Sequence, residues 1–188
     1  KGPNALAFIQ YVTSNDASVL YPGKVQYSCF PNGDGGIVDD LLVYKFDDVT
    51  YLLVVNAANI EKDWNHLCKY APKFNLTIGK ELYNASDEIC QLAIQGPNAL
   101  KIMQRICDAP VEDMEYYTFK KCNVGGVSAI FSTTGYTGSG GCEVYVAAGS
   151  RFDKTRDSDY SRYHLVLLCK NETGYRNLIY MVSKGFTE

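Results

Sequence analysis

Long apolar runs are missing from this sequence, and so is any bias of charge toward one sign. Apolar stretches such as Ile37-Val38 and Leu52-Leu53-Val54-Val55 fall far short of the roughly 20 residues that a bilayer-spanning helix requires. Lysine and arginine number 18 against 21 acidic residues, a formal net charge of -3. No Lys/Arg cluster forms the basic stripe that would read as a nucleic-acid footprint. Histidine is scarce: His66 and His164 stand nowhere near ligand spacing. The seven cysteines form no CxxC pair, which argues against a zinc site. Their odd number and scatter among apolar neighbours predict small buried hydrophobes of a reducing compartment rather than a disulfide framework. Lys1-Gly2-Pro3-Asn4 runs straight into a helical pattern, without the apolar segment of a secretory signal. A cytoplasmic location is the expectation, and sequons at Asn75, Asn84 and Asn171 carry little weight without a secretory route.

What is present is an alternation of short strands and amphipathic helices. Leu6, Phe8, Ile9 and Val12 recur at helical spacing behind Pro3-Asn4. Strands are predicted at 26–30, 37–44 and 51–56, the last two joined by a turn too short for a parallel return. A helix over 60–69, with Asn59 as its cap, presents Ile60, Trp64, Leu67 and Cys68 on one side. Glu61 and Asp63 suit the positive end of its dipole. Further strands are predicted at 74–78, 90–94, 116–119, 127–131 and 142–146, with Gly125-Gly126 as a turn. The pentapeptide Gly-Pro-Asn-Ala-Leu occurs at Gly2 and again at Gly96, each time ahead of an amphipathic helix. This predicts a structural repeat, a sharp helix entry made twice; for the first copy the preceding strand would lie before Lys1. The fold class expected is α+β, with mixed, largely antiparallel sheets and flanking helices. No GxGxxG stands between a strand and a helix, so a Rossmann sheet is disfavoured. Three segments are expected: 1–88 with the hairpin and helix, 89–149 as a second α+β segment, and a divergent tail over 150–188. In that tail only 165–168 and 178–182 have the character to pack.

The candidate chemistry sits in the hairpin and past the glycine-rich bend at 135–141. Asp39 and Asp40 interrupt an apolar strand and, with period two, point to opposite faces, so they cannot share a proton on that strand. A buried member of the pair needs a donor partner or a raised pKa. One acid facing solvent while the other pairs structurally, and an acid facing a ligand, are both open readings. Asn56 can lie across the hairpin from this region, its amide suited to a heterocycle edge or to a loop backbone. Glu143 can accept two parallel N–H bonds from an aminopyrimidine-like edge, or form a salt bridge to a nearby Lys or Arg. Tyr27 and Tyr136 are possible walls for a flat ligand. A Ser-His-Asp or Cys-His nucleophile is poorly supported, with His66 at an exposed-looking helix position and His164 in the tail.

The segments KGPNALAFIQYVTSND, PGKVQYSCFPNGDGGIVDDLLVYK, YLLVVNAANIEKDW, LAIQGPNALKIMQ and TTGYTGSGGCEVYV, in this order, resemble the aminomethyltransferase (T-protein) family of the glycine cleavage system. The resemblance covers about Lys1 to Gly149, less than half of a complete family member. It implies a folate-binding part of a three-domain enzyme built round a central hole that holds tetrahydrofolate as acceptor substrate. The implied reaction takes an aminomethyl group from the lipoyl arm of a carrier protein (H-protein) and yields ammonia, 5,10-methylenetetrahydrofolate and the dihydrolipoyl carrier. On the matched motifs, Asp40 is implied to be the catalytic acid beside the reacting folate nitrogens. Asn56 is implied to touch the pterin, Glu143 to hold its aminopyrimidine edge, and Tyr27 and Tyr136 to line the site. No metal is implied. The chain departs from the family at Thr133, where an arginine is common, at Ser139, where an acid is, and at Cys142, where a phenylalanine is. A GLGARD-like segment, which supplies an arginine to the active centre, is missing. An inactive truncated remnant, a folate-binding module and a related folate-dependent demethylase are the alternative readings.

Overall fold

The structure, a computed structural model, describes residues 1–147 and, beyond them, Glu172, Thr173, Arg176, Ile179 and Tyr180. The described chain divides into two units, Lys1–Asp87 with Tyr117–Lys120, and Glu88–Tyr116 with the described residues from Lys121 onward. Strands pair antiparallel in both sheets, giving a mixed α+β fold with no doubly wound parallel sheet among the described residues.

The first unit is a three-stranded sheet in the order β1 (Val25–Pro31), β2 (Ile37–Lys45), β3 (Tyr51–Val55), covered by α1 (Ala5–Val12) and α2 (Ile60–Tyr70). Alternation along β2 sends Leu41 and Val43 into a core with Phe30, Phe8, Ile9, Val12, Leu67 and Leu76. Burial of a side chain such as Phe30, which is wholly enclosed, contributes about 2–3 kcal/mol. The other face holds Tyr44, buried against the ring of Phe119 at 5.1 Å. Helix α2 is turned from its expected orientation: its fully buried members are Asp63 and Leu67, four residues apart, while Trp64 is only half-buried. No strand forms over 74–78. The chain leaves α2 through a 3-10 turn, Ala71–Phe74, into Asn75 at φ 54. Phe74 and Leu76 then reach the core from irregular backbone.

The second unit is a four-stranded sheet in the order β4 (Ile89–Gln95), β7 (Gly141–Ala147), β6 (Val127–Ser132), β5 (Phe119–Val124), with α3 (Ala99–Gln104) packed on it. Its core joins Met103, Val111, Ala129, Phe131, Cys142 and Val144. Strand β5 starts at Phe119 rather than at 116, because Tyr117 adopts φ 61 and breaks the extended run. Gly125 and Gly126, at φ 58 and 84, form the two-residue connection that a right-twisted hairpin favours.

The two Gly-Pro-Asn-Ala-Leu copies adopt matching geometry. Gly2 and Gly96 have φ 102 and 122, and each glycine carbonyl accepts from the alanine N–H three residues on, at 3.0 and 3.1 Å. Asn4 and Asn98 cap with nearly the same dihedrals, and Ala5 and Ala99 are each buried as the first helical residue. The small side chain is what lets the helix start against the core. The expected tail lies outside the described residues, except that Glu172 and Arg176 form an exposed ion pair at 3.1 Å. Ile179 and Tyr180, from a run expected to pack, are exposed. His164, Cys169 and the run 165–168 also lie outside the described residues.

Candidate functional site

Register decides what the hairpin can present. Strand β1 sets Cys29 opposite Asp40 and Phe30 opposite Asp39, and β3 sets Val55 opposite Leu41, so Asn56 arrives beside Asp40 as the chain leaves the sheet. Asp40 shares the face of Tyr27, whose hydroxyl donates to Asp40 Oδ2 at 2.8 Å. Asn56 Nδ2 donates to Asp40 Oδ1 at 2.8 Å and to Asp39 Oδ1 at 3.1 Å. One amide therefore spans both acids. Tyr27 is 53% exposed, and the bond to Asp40, more than burial, pushes its phenol above the ordinary range.

Asp39 points toward the helix layer. Its Oδ2 accepts from Asn59 Nδ2 at 2.8 Å and its Oδ1 from the backbone N–H of Asp40 at 3.0 Å. Lys62 stands 3.9 Å away, with its ammonium donating to the Val38 carbonyl at 2.7 Å. Burial alone would raise Asp39, but donation from Asn59, the Asp40 backbone, Asp63 and Asn56 together holds it below its ordinary range. Asn59 is thus not the side-chain cap of α2 that its position suggested; its amide is committed to Asp39. Behind this layer lies Asp63, 0% exposed. Burial, and then the adjoining Asp39 carboxyl, push it up to about 6. His66, expected to be exposed, is half-buried between the rings of Phe30 and Tyr70 at 5.5 and 5.2 Å. Burial, followed by the charge of Lys69, holds its imidazole below the ordinary range.

In the second unit Glu143 is 2% exposed. Gln91 Nε2 donates to its Oε1; Thr134 Oγ1 and the Tyr145 hydroxyl donate to Oε2 at 2.5 and 2.9 Å. These partners are all neutral, so the salt-bridge reading is replaced by a hydrogen-bonded carboxylate. Three of roughly four acceptor positions are filled, and an incoming edge with two N–H groups has to displace one donor. Tyr136 is 57% exposed at the glycine-rich bend. Burial, then the charge of Glu143, raises its phenol. The bend is pinned by the buried Gln95, whose Oε1 accepts from the Tyr136 N–H at 3.2 Å and the Thr137 hydroxyl at 3.4 Å. A Cβ on Gly135 would meet the Gly141 backbone at 2.7 Å, so that close crossing requires glycine.

Tyr27, Asp40 and Asn56 are therefore brought together in the first unit, while Glu143 and Tyr136 lie in the second. Thr133, where a family arginine was noted, is buried and donates to the Glu115 carbonyl at 2.6 Å. Of the described cysteines, Cys142 alone is fully buried; Cys29, Cys68, Cys90, Cys107 and Cys122 are half-buried. Sequence reasoning missed Asp63 and Asn59 as members of the acid cluster. The available signal was spacing: Asp63 is three residues from Ile60 and four from Leu67, on the stripe read as core.

An antiparallel α+β fold with this acid-bearing hairpin defines the class of the chain, and comparison with known proteins gives the family. Residues 1–153 match the GCVT N-terminal domain, and the chain belongs to that family. A second match, to the PHP domain, covers residues 129–188, most of them outside the described residues. The chain is 55% identical over 146 residues to an aminomethyltransferase of Bacteroides fragilis, covering 77% of this chain and 39% of that relative. To the aminomethyltransferase of Natranaerobius thermophilus it is 46% identical over 151 residues, covering 79% and 40%. The crystal structure of glycine cleavage system aminomethyltransferase T from Bartonella henselae superposes with a TM-score of 0.64 at 28% identity. The match covers 78% of this chain and 38% of that one. The chain thus spans about two-fifths of the length of the curated relatives it matches.

Proposed function

We propose that this chain carries the tetrahydrofolate-facing part of an aminomethyl transfer site. In the proposed reaction the methylene carbon leaves the sulfur and nitrogen of an aminomethylated lipoyl arm and forms two C–N bonds to the folate. The two folate N–H protons end on ammonia and on the dihydrolipoyl thiol, giving 5,10-methylenetetrahydrofolate. The donor is a lipoylated carrier protein (H-protein) and the setting cytoplasmic.

The observation that carries this reading is Asp40, a carboxylate held from two sides by Tyr27 and Asn56 on a sheet face away from the helices. A carboxylate fixed before the reaction stabilises positive charge that develops on the folate nitrogens as the methylene is transferred, without reorganising. The backbone carbonyl of Asn56 accepts from the Asn59 N–H at 2.9 Å, and its side-chain Oδ1 is the acceptor offered to a pterin N–H. Tyr27, a half-exposed ring, supplies a flat wall beside Asp40, and Tyr136 offers a similarly exposed ring within the second unit. Within the second unit, Glu143 offers an acceptor for an aminopyrimidine-like edge by exchanging one of its internal donors for a ligand N–H. No side chain of this set is asked to act as a nucleophile; the thiol belongs to the donor.

The test is calorimetric titration of the purified chain with tetrahydrofolate, together with ammonia release from aminomethylated carrier. Asp40→Asn keeps the shape and removes the charge, so the fold should persist while any transfer is abolished. Binding by the unaltered chain without ammonia release would assign it a folate-binding role alone. Undiminished transfer by Asp40→Asn would remove Asp40 from the mechanism.

A further inference from the structure

Asn56 leaves β3 with its side-chain nitrogen among acceptors. Nδ2 lies 2.8 Å from Asp40 Oδ1, 3.1 Å from Asp39 Oδ1 and 3.4 Å from the Asp40 carbonyl. Carboxylate and carbonyl oxygens accept and do not donate, so reversing the amide would set Oδ1 against all three. The amide therefore has one orientation: both N–H groups serve the acids, and Oδ1, on the other arm, is turned from them. Asn56 is exposed, which leaves that oxygen open to a ligand. Asp39 is the firmly held member of the pair. Its side chain is only 11% exposed; Oδ2 accepts from Asn59 Nδ2 at 2.8 Å and Oδ1 from the Asp40 backbone N–H at 3.0 Å. Lys62, 3.9 Å away, is itself anchored on the Val38 carbonyl at 2.7 Å. Asp39 lies on the helix side of β2, away from the face that Tyr27 and Asp40 share, and acts on that face through Asn56.

We propose that Asp39 is a positioning residue that sets specificity: it takes the second N–H of Asn56, turns the amide oxygen toward the ligand, and so makes the edge beside Asp40 select a reduced pteridine ring over an oxidised one. Within the trio of Tyr27, Asp40 and Asn56 no donor is left over. The Tyr27 hydroxyl donates to Asp40 Oδ2 and both Asn56 hydrogens go to the acids, so a ligand meets only acceptors. A tetrahydropteridine carries N–H at both nitrogens of its reduced ring, which match such an edge. The fully oxidised ring presents bare nitrogens there, acceptors facing acceptors, and an unmatched polar pair costs more than a good one contributes. Without an acceptor at position 39, the second N–H of Asn56 keeps only the Asp40 carbonyl at 3.4 Å. The amide is then free to swing one N–H outward, where it serves a bare ring nitrogen.

The specificity rests on the folate reading above; the orientation of Asn56 does not, and the test separates the two. Calorimetry compares the affinities of tetrahydrofolate, kept reduced under argon, and folic acid for the unaltered chain, Asp39→Ala and Asp39→Asn. The unaltered chain should prefer tetrahydrofolate by roughly tenfold or more, and Asp39→Ala should lower that ratio about tenfold. Asp39→Asn should restore it, because its Oδ1 keeps the place that accepts from Asn56 while its nitrogen turns to Asn59, whose amide reverses to accept. A merely structural role would weaken both ligands alike, so an unchanged ratio in Asp39→Ala overturns the proposal. So does an Asp39→Asn ratio equal to that of Asp39→Ala. Equal affinity of the unaltered chain for the two ligands also overturns it, with the folate reading left standing. If the unaltered chain binds neither, the folate reading fails, and NMR of the Asn56 side-chain amide in isotope-labelled protein decides the positioning claim. Both amide hydrogens should resonate downfield of those of a free asparagine, and Asp39→Ala should return one of them. No response to Asp39→Ala overturns the claim; so does either hydrogen at the free-asparagine position in the unaltered protein, which decides even where Asp39→Ala does not fold.

Discussion

Replacing Asp63 with asparagine should flatten the dependence of the first unit's stability on pH between about 4 and 6. In the unfolded chain this carboxyl titrates near 3.8, whereas in the fold it is pushed up to about 6. Between those values the folded state binds more protons than the unfolded state, so stability falls as pH rises through the window and levels off above it. A raised acid therefore contributes most below its unfolded pKa. At about 1.4 kcal/mol for each pH unit, the two ends of the window differ by about 3 kcal/mol. Other acids act in the same range: Asp39, held low, contributes stability that is lost as pH falls. The informative quantity is therefore the difference between the unaltered protein and Asp63→Asn, measured at each pH. Trp64, the single tryptophan of the chain, sits next to Asp63 on α2 and reports this unit by fluorescence in urea. For slopes of about 1–3 kcal/mol per molar urea, the difference between the two midpoints should change by about 1–3 M from pH 4 to pH 7. Parallel midpoint curves across that range would refute the reasoning, since a buried acid with no change in protonation on unfolding cannot produce linkage.

Three further outcomes follow from the geometry. Phe131→Ala, at a wholly buried ring in the second core, should cost about 3–5 kcal/mol, read as a loss of thermal stability in a melt followed by circular dichroism. The Cys142 thiol, enclosed in that core and pushed up to about 12 chiefly by burial, should resist an aromatic disulfide reagent at pH 8 until the protein is unfolded, so fast reaction in the folded state would place it elsewhere. Tyr27→Phe removes the hydroxyl that donates to Asp40 and should weaken tetrahydrofolate about three- to tenfold, with little change in stability because the ring is half-exposed; unchanged affinity would detach Tyr27 from the site.

The hairpin, the Gly125-Gly126 turn and the repeated helix entry were legible because each depends on local chemistry. Period-two apolar alternation, paired positive φ angles and a small first helical residue all leave marks on neighbouring positions. Asn56, closing its strand, is expected across the hairpin from the Asp39-Asp40 region, and its amide contacts both acids, at 3.1 and 2.8 Å. The failures share a different cause. Phe74, Leu76 and Ile78 alternate like a strand, yet a 3-10 turn and Asn75 at positive φ deliver the first two to the core. Tyr117 carries no mark of its positive φ, so the sequence pattern starts the strand three residues early. His66 looks exposed in the sequence because its partners, Phe30 and Tyr70, include one distant in sequence. Asp63 looked like a dipole-facing acid; its burial depends on the rotation of α2 against β2, which tertiary packing sets. Glu143 was placed on a strand correctly, but its donors Gln91 and Thr134 come from separate segments.

In the proposed site the carboxylate at position 40 faces the folate. A crystal structure of the chain with tetrahydrofolate tests it most directly. An Asp40 oxygen should then lie about 3 Å from a nitrogen at the reacting edge of the folate, with Asn56 against the pterin. A folate bound away from β2, leaving Tyr27, Asp40 and Asn56 bonded only to one another, would contradict it.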